Sequence, residues 1–440
     1  MKTLIAALAA TLVIPAAAQS QKLKVGFMLP YSGTYAALGD AIEKGFRLYV
    51  TEQGGRVGGR EIEYVKVDDE SDPAKATDNV NKLIKRDNVD VLVGTVHSGV
   101  AMAMAKVAKD NDTLLIIPNA GAVAVTGPMC AQNIFRSSFS NWQPGYAMGE
   151  VAAKRGAKKV VTITWKYAAG DESVGGFKEA FEKNGGLVVK ELSLPFPNVE
   201  FQPLLTEIAA AKRGAKKVVT ITWKYAAGDE SVGGFKEAFE KAGGQVVKEL
   251  SLPFPNVEFQ PLLTEIAAIK PDAVYTFFAG GGAVKFVKDY AAAGLKRTIP
   301  LYGAGFLTDG TLEAQGADAD GLLTALHYGD GLDNPKDKSF RAAYHKAYNA
   351  VPDVYAVQGY DAAQMLAIGL NASRGDVSKK AEIAKAIEAA KIDSPRGMFT
   401  IGASHNPVQD MYLRQVVGKD NKVIAIATKA LADPGRGCKM

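Results

Sequence analysis

The sequence predicts an α/β protein of two doubly wound lobes, and three observations carry that prediction. Short apolar runs alternate with amphipathic stretches of helical length along most of the chain, the pattern of βαβ units around parallel sheets. The segments just after those runs are small and polar, as befits the carboxyl ends of parallel strands, where ligands of such sheets sit. The chain also has 440 residues, too many for one ordinary domain and enough for two.

Taken in order, the first residues fall outside the pattern. Lys2, the apolar run from Leu4 to Ile14 and the small residues Ala16-Ala17-Ala18 have the layout of a secretory signal peptide, assigned here to residues 1–18. The run is shorter than the roughly 20 residues a membrane span needs, so the expected location of the mature chain is the periplasm. The alternation then starts: strand Val25 to Leu29, helix Ala36 to Glu52, strand Ile62 to Val67, helix Pro73 to Arg86. Strand Val89 to Gly94, helix Val100 to Asp110 and strand Leu114 to Ile117 follow. After Phe135 a new helix leads into a second lobe with strand Val160 to Thr164, a helix Val174 to Asn184 stopped by Gly185-Gly186, strand Leu187 to Leu192 and a helix after Pro203. Strand Ala273 to Phe278, helix Gly282 to Ala293 and strand Ile299 to Tyr302 come next. Leu322 to Tyr328 and the stretch from Lys338 read as further helix, and Met398 to Ile426 as antiparallel strands.

The second lobe contains a copy of part of itself. Residues 152–210 recur at 210–268 with a period of 58, and only two positions differ, Asn184 against Ala242 and Leu187 against Gln245. Repeats of a stacked array diverge except at framework positions and need about three units, so this reads as a recent tandem duplication of one βαβα block, or as an assembly error in the sequence, and not as a repeat architecture. The surplus unit is expected either to extend a sheet edge or to drive aggregation.

Composition narrows the function. With 47% hydrophobic and 22% charged residues the chain reads as globular, and a formal charge of +5 without a block of like charges gives nucleic-acid binding no support. No G-x-G-x-x-G follows the first strand, and no G-x-x-x-x-G-K-[ST] or G-x-S-x-G occurs. The four histidines and two cysteines show no metal-ligand spacing. Neither an enzyme, a metal nor a cofactor is expected. Cys130 and Cys438, in an exported chain, are expected to pair and tie the tail, residues 429–440, onto the body.

Function is sought at the strand ends. The first lobe offers Pro30-Tyr31-Ser32-Gly33, then His97-Ser98-Gly99 and Pro118-Asn119-Ala120-Gly121. The second offers Trp165 and Tyr167, or Trp223 and Tyr225 in the other copy, with Phe277-Phe278, Ala279-Gly280 and Gly305-Phe306. Together with Asp68-Asp69 and Tyr355-Ala356-Val357-Gln358-Gly359-Tyr360-Asp361, these residues resemble the type I periplasmic binding proteins of ABC importers, and more narrowly the branched-chain amino acid binding family.

The resemblance implies two Rossmann-like lobes joined by a hinge of three crossings. It places lobe one at 22–139 plus 326–395 and lobe two at 140–325 plus 396–428. It implies a monomer that captures a small ligand and delivers it to an ABC permease in the inner membrane. Carried onto this chain, the ligand carboxylate falls to Ser98, with His97 beside it, and to Asn119, Ala120 and Gly121, where helix-start amides make an anion site without a basic side chain. Tyr31, Trp223, Tyr225, Phe278, Gly280 and Phe306 complete the expected site, with Trp165 and Tyr167 in place of their copies if the first copy lines the cleft. The amino-acid binders of the family also carry an acid for the ligand's ammonium. Here that position reads Gly305-Phe306, and the nearest carboxylate is Asp309. An aromatic acid, benzoate-like or phenylalkanoate-like, is therefore expected, against a branched-chain amino acid or amide, or a sensing module of the same fold.

Overall fold

The computed structural model describes residues 21–195, 217–223, 245–252 and 259–440. The signal-peptide residues and the helix expected after Pro203 lie outside them. The first sheet holds β1 (Leu23–Leu29), β2 (Arg56–Val57), β3 (Arg60–Asp68), β4 (Val91–Val93), β5 (Leu114–Ile117) and β6 (Ile134–Arg136), in the order β2-β3-β1-β4-β5-β6. All its ladders are parallel except the β2–β3 hairpin. Helices α1 (Ala36–Glu52), α2 (Pro73–Asn81) and α3 (Ser98–Asp110) cross over between strands. With helices on both faces, β4 and β5 are buried throughout, which is why they read as unbroken apolar runs.

The second lobe begins with α4 (Trp142–Lys154), β7 (Lys159–Lys166), α5 (Ala168–Lys183) and β8 (Leu187–Pro195). It resumes at α6 (Gln260–Ile269) and continues with β11 (Ala273–Phe277), α7 (Gly280–Ala292), β12 (Leu301–Ala304), α8 (Leu312–Gln315) and β13 (Leu323–Leu326). Between them lie β9 (Lys217–Trp223) and β10 (Gln245–Leu252). The chain then returns to the first lobe with α9 (Pro335–Tyr348), α10 (Val354–Ala372) and α11 (Lys380–Glu388), and closes with β14 (Lys391–Ile392), β15 (Phe399–Ile401), β16 (Pro407–Val417) and β17 (Asp420–Leu431). The second sheet runs β14-β15-β16-β13-β12-β11-β7-β8, with β17 beside β16.

Three expectations change. Leu323–Leu326 is a strand, not a helix: four buried apolar residues cannot declare a period, and here they lie between β12 and β16. α3 begins at Ser98, two residues ahead of the expected Val100, and α5 at Ala168, six ahead of Val174. The surplus unit does not extend the second sheet. Among the described residues β9 and β10 pair only with each other, in parallel, and their register copies that of β7 on β8: Lys217 faces Gln245 as Lys159 faces Leu187. The block that fills the lobe thus takes its strands from the first copy and its α6 helix from the second.

Two close approaches set the cleft. A Cβ on Gly45 of α1 would lie 1.8 Å from the Ala356 carbonyl oxygen, and one on Gly359 of α10 would lie 1.9 Å from that of Ile42. Only glycine lets the two helices touch backbone to backbone there, which packs the start of α10 against the middle of α1. At the chain's end, the tail leaves β17 in the second lobe and is joined to the first by a disulfide between Cys130 and Cys438.

Candidate functional site

Between the lobes lies a small cavity. The first lobe lines it with Tyr35, Leu38, Val96, Ser98, Asn119, Gly121 and Tyr355, and the second with Tyr167, Ala169, Phe277, Ala279 and Phe306, while Phe139 and Asn141 come from the crossing between them. None of these residues carries a charge.

The field comes from backbone instead. Tyr35 is the N-cap of α1, Ser98 the first residue of α3, Asn141 the N-cap of α4, Tyr167 the N-cap of α5 and Ala279 the N-cap of α7, while Tyr355 is the second residue of α10. Six helices therefore turn their positive ends toward one uncharged cavity, and such ends favour an anion.

Arg136 prepares the same wall from behind. Fully buried, it donates to the carbonyl oxygens of Ala120 (3.0 Å) and Ala122 (2.5 Å), to Thr126 Oγ1 and to Asn406 Oδ1. Those carbonyls are thereby engaged behind the loop, which holds Gly121 at the cavity. Burial lowers the guanidinium only to about 10, so it stays charged.

At the α3 end, His97 and not Ser98 caps the helix: its Nδ1 accepts from the N–H groups of Gly99 (3.1 Å) and Val100 (3.4 Å). Burial pushes the ring down to about 4, which keeps Nδ1 unprotonated and able to accept. The His97 ring stacks on Tyr167 of the second lobe at 5.3 Å and does not line the cavity. Ser98 is spared capping duty. Its Oγ accepts from Asn141 Nδ2 at 3.3 Å and keeps its own proton to donate.

The other expected residues divide. Asn119 and Gly121 line the cavity, although the Asn119 amide already donates to Gln358 Oε1 at 2.7 Å. Ala120 does not: its N–H donates to the Thr95 carbonyl at 2.9 Å, and its Cβ is fully buried. Tyr31 is engaged elsewhere, donating from its hydroxyl to Glu43 (2.7 Å) with Lys66 4.2 Å above its ring, while its N–H is held by Asp68. Tyr35, one helical turn on, occupies the place expected of it.

In the second lobe, Phe306 and Tyr167 line the cavity, but Phe278 and Trp165 lie one layer behind it. Phe278 is fully buried among Phe286 (4.7 Å), Trp165 (5.3 Å) and Phe259 (5.6 Å). Strand alternation therefore hands the cleft to Phe277, the last residue of β11. Trp165 presses on Gly282, where a Cβ would come within 2.3 Å of the indole, and Gly280 opens α7 without lining the cavity. Tyr225 and the side chain of Trp223 lie outside the described residues. The first copy supplies the strand beside β11, so the preference for the second copy is not what the structure shows. Since the copies are almost identical in sequence, the choice follows the chain: α4 leads directly into the first one.

Polar links close the cleft. The hydroxyls of Tyr35 and Tyr167 are hydrogen bonded to each other across it. Glu172 of α5 accepts from the Val123 N–H of the first lobe at 3.0 Å and from Asn141 at 2.7 Å, and burial raises its carboxyl to about 7. Asp309, the carboxylate nearest to where the amino-acid binders hold an acid, is committed to Arg414, which donates to both its oxygens at 3.2 and 2.7 Å. Asn141, Tyr35 and Tyr355 are lining residues that no strand end announces, because each sits at a helix start brought in by tertiary packing, and Phe139 joins them from the crossing just before α4. The described residues contain no cluster of side chains suited to a metal ion, and no helix among them is long and apolar enough to cross a membrane.

Comparison with known proteins agrees with this geometry. The sequence pattern of the periplasmic binding protein family matches residues 22–212 and again 205–422. A solute-binding protein of an ABC transporter from R. palustris, solved in complex with benzoate, is 47% identical, covers 96% of this chain and all of its own, and superposes with a TM-score of 0.80. Another, from Rhodopseudomonas palustris BisB5 and solved with 3,4-dihydroxybenzoic acid, is 28% identical with a TM-score of 0.72, over 94% of this chain and 99% of its own. The Leu/Ile/Val-binding protein homolog 6 of Brucella melitensis is 27% identical over 99% of this chain and 98% of its own length.

Proposed function

Since the chain belongs to the periplasmic binding protein family, as a solute-binding protein of an ABC transporter, we propose that its solute is a small aromatic carboxylate of the benzoate class. One observation carries the proposal: six helix N-termini and no charged side chain meet at a cavity walled by Phe139, Tyr167, Phe277 and Phe306. A carboxylate gains from those N-termini. An ammonium would be buried without a counter-ion and against six positive dipole ends, at a cost of several kcal/mol. The names of the Brucella relatives favour a branched-chain amino acid. Against it stands Asp309, the carboxylate that would have to meet the ammonium and that Arg414 already holds.

In the proposed mechanism the acid first docks on the first lobe, its carboxylate on Ser98 Oγ and the Gly121 side of the loop braced by Arg136. Rotation about the three crossings then lays Phe277, Phe306 and Tyr167 over the ring. The Tyr35–Tyr167 and Glu172–Val123 hydrogen bonds form only when the lobes meet, so they favour the closed form that a permease would recognise. Titration calorimetry on the exported protein tests the reading: heat is expected with benzoate and none with leucine. Heat with leucine alone would refute it.

A further inference from the structure

The two copies of the duplicated block occupy different places, yet their strands are the same object. The β7–β8 ladder skips Val189, passing from Val188 to Lys190, and the β9–β10 ladder skips Val247 at the same step. What β7 has, and β9 lacks among the described residues, is β11 as a neighbour, with Ala273 opposite Val160 and Phe277 opposite Thr164. The two positions at which the copies differ, Asn184 and Leu187, are both exposed. Every buried residue of the first copy therefore recurs in the second, as do the cavity-lining Tyr167 and Ala169, which return as Tyr225 and Ala227.

Neither difference selects a copy. Asn184 ends α5 and its amide donates to the Ala180 carbonyl at 2.7 Å, a bond that Ala242 would leave to water. Leu187 opens β8 with 53% of its surface exposed, where Gln245 suits water better. Changes at such exposed sites each shift an equilibrium by about two- to threefold, and these two act in opposite senses. Connectivity is balanced as well. Here the surplus 58 residues fall between β8 and α6; with the second copy in place they would fall between α4 and β9, where Ala210-Ala211-Lys212 repeats the end of α4, Ala152-Ala153-Lys154. A detour of the same length costs the same to close.

We infer that the two copies are interchangeable, so that the second lobe folds in two forms, one with the strands of the first copy beside β11 and one with those of the second. Both forms enclose the same cleft, because both copies bring the same side chains to it. β7 leaves β11 only when the lobe opens around it, so the form is set as the chain folds and not by the solute. The duplication then acts as a spare part: a disabling change in the core of one copy is silent while the other is intact.

Ile163 is fully buried in the middle of β7, among Leu192, Val274 and Phe278, so Ile163→Asp puts an unpaired charge into the core of the lobe. Ile221→Asp makes the same change in the second copy. Denaturant unfolding and benzoate calorimetry of both single variants and of the double variant test the inference. We expect each single variant to keep a cooperative unfolding transition and to bind benzoate within about threefold of the unaltered protein, and the double variant to lose both. Loss of folding in Ile163→Asp alone overturns the inference, because then only the first copy fills the lobe. Loss in Ile221→Asp alone overturns it too, as does a double variant that still folds. Unfolding reads the exchange without any solute, so a failure of benzoate to bind even the unaltered protein counts against the proposed function and leaves this test standing.

Discussion

The two walls of the cleft are built on different principles. The first lobe presents helix starts and a loop whose carbonyls are engaged from behind by Arg136, and its polar side chains there, Ser98 and Asn119, are short. The second lobe presents rings, and behind Phe277 and Phe306 a second aromatic layer of Phe278, Trp165, Phe259 and Phe286 fixes where they stand. One wall supplies direction for a charge and the other supplies apolar area. Where both properties converge without an acid, the guest we propose is a ring acid and not a zwitterion.

That division can be broken one residue at a time. Phe278→Ala should have the largest effect, and on stability alone: about 3–5 kcal/mol is expected from a cavity opened in a packed aromatic cluster. Denaturant unfolding would show the loss, while calorimetry on the remaining folded protein would show benzoate binding little changed. Phe277→Ala, one residue earlier, should do the reverse and weaken benzoate by about 1.5–3 kcal/mol as the ring loses its apolar cover, with a smaller change in unfolding midpoint. Ser98→Ala should weaken it by about 1–3 kcal/mol, with α3 intact by circular dichroism because His97 remains the cap.

The smallest effect concerns pH. Burial raises Glu172 from 4.5 to about 7, so the folded state holds a proton there that the unfolded state has released; its contribution to stability is full below 4.5 and is lost as pH rises toward 7. His97 runs the other way: with its ring pushed from 6.5 to about 4, stability is lost as pH falls through that interval. Glu172→Gln removes the first slope and keeps the second. Melting temperatures of this variant, compared with the unaltered protein, should shift in the variant's favour as pH climbs from 5 to 7.5.

Much of the first wall was legible in the sequence and less of the second, for a physical reason. Small polar residues after an apolar run mark a strand's carboxyl end directly, so Ser98, Asn119 and Gly121 could be found from local pattern. Aromatics at a strand end obey a parity that the sequence does not display: Phe277 and Phe278 are equivalent until the faces of β11 are assigned, while Trp165 and Tyr167 share a parity and part only because β7 ends at Lys166 and Tyr167 becomes the N-cap of α5. Tyr35, Asn141 and Tyr355 reach the cavity only because helices from distant parts of the chain are packed around it, through contacts such as those of Gly45 and Gly359. The strand Leu323–Leu326 was misread because a run so short has no period. The duplication was plain in the letters, yet which copy joins the sheet was decided by connectivity that both copies' near-identical residues conceal.

The most direct measurement compares benzoate with benzamide, nearly the same shape with and without the charge, by calorimetry at pH 7. If helix N-termini and neutral donors are there to hold an anion, benzoate should bind at least tenfold tighter. Equal or tighter binding of benzamide would contradict the account.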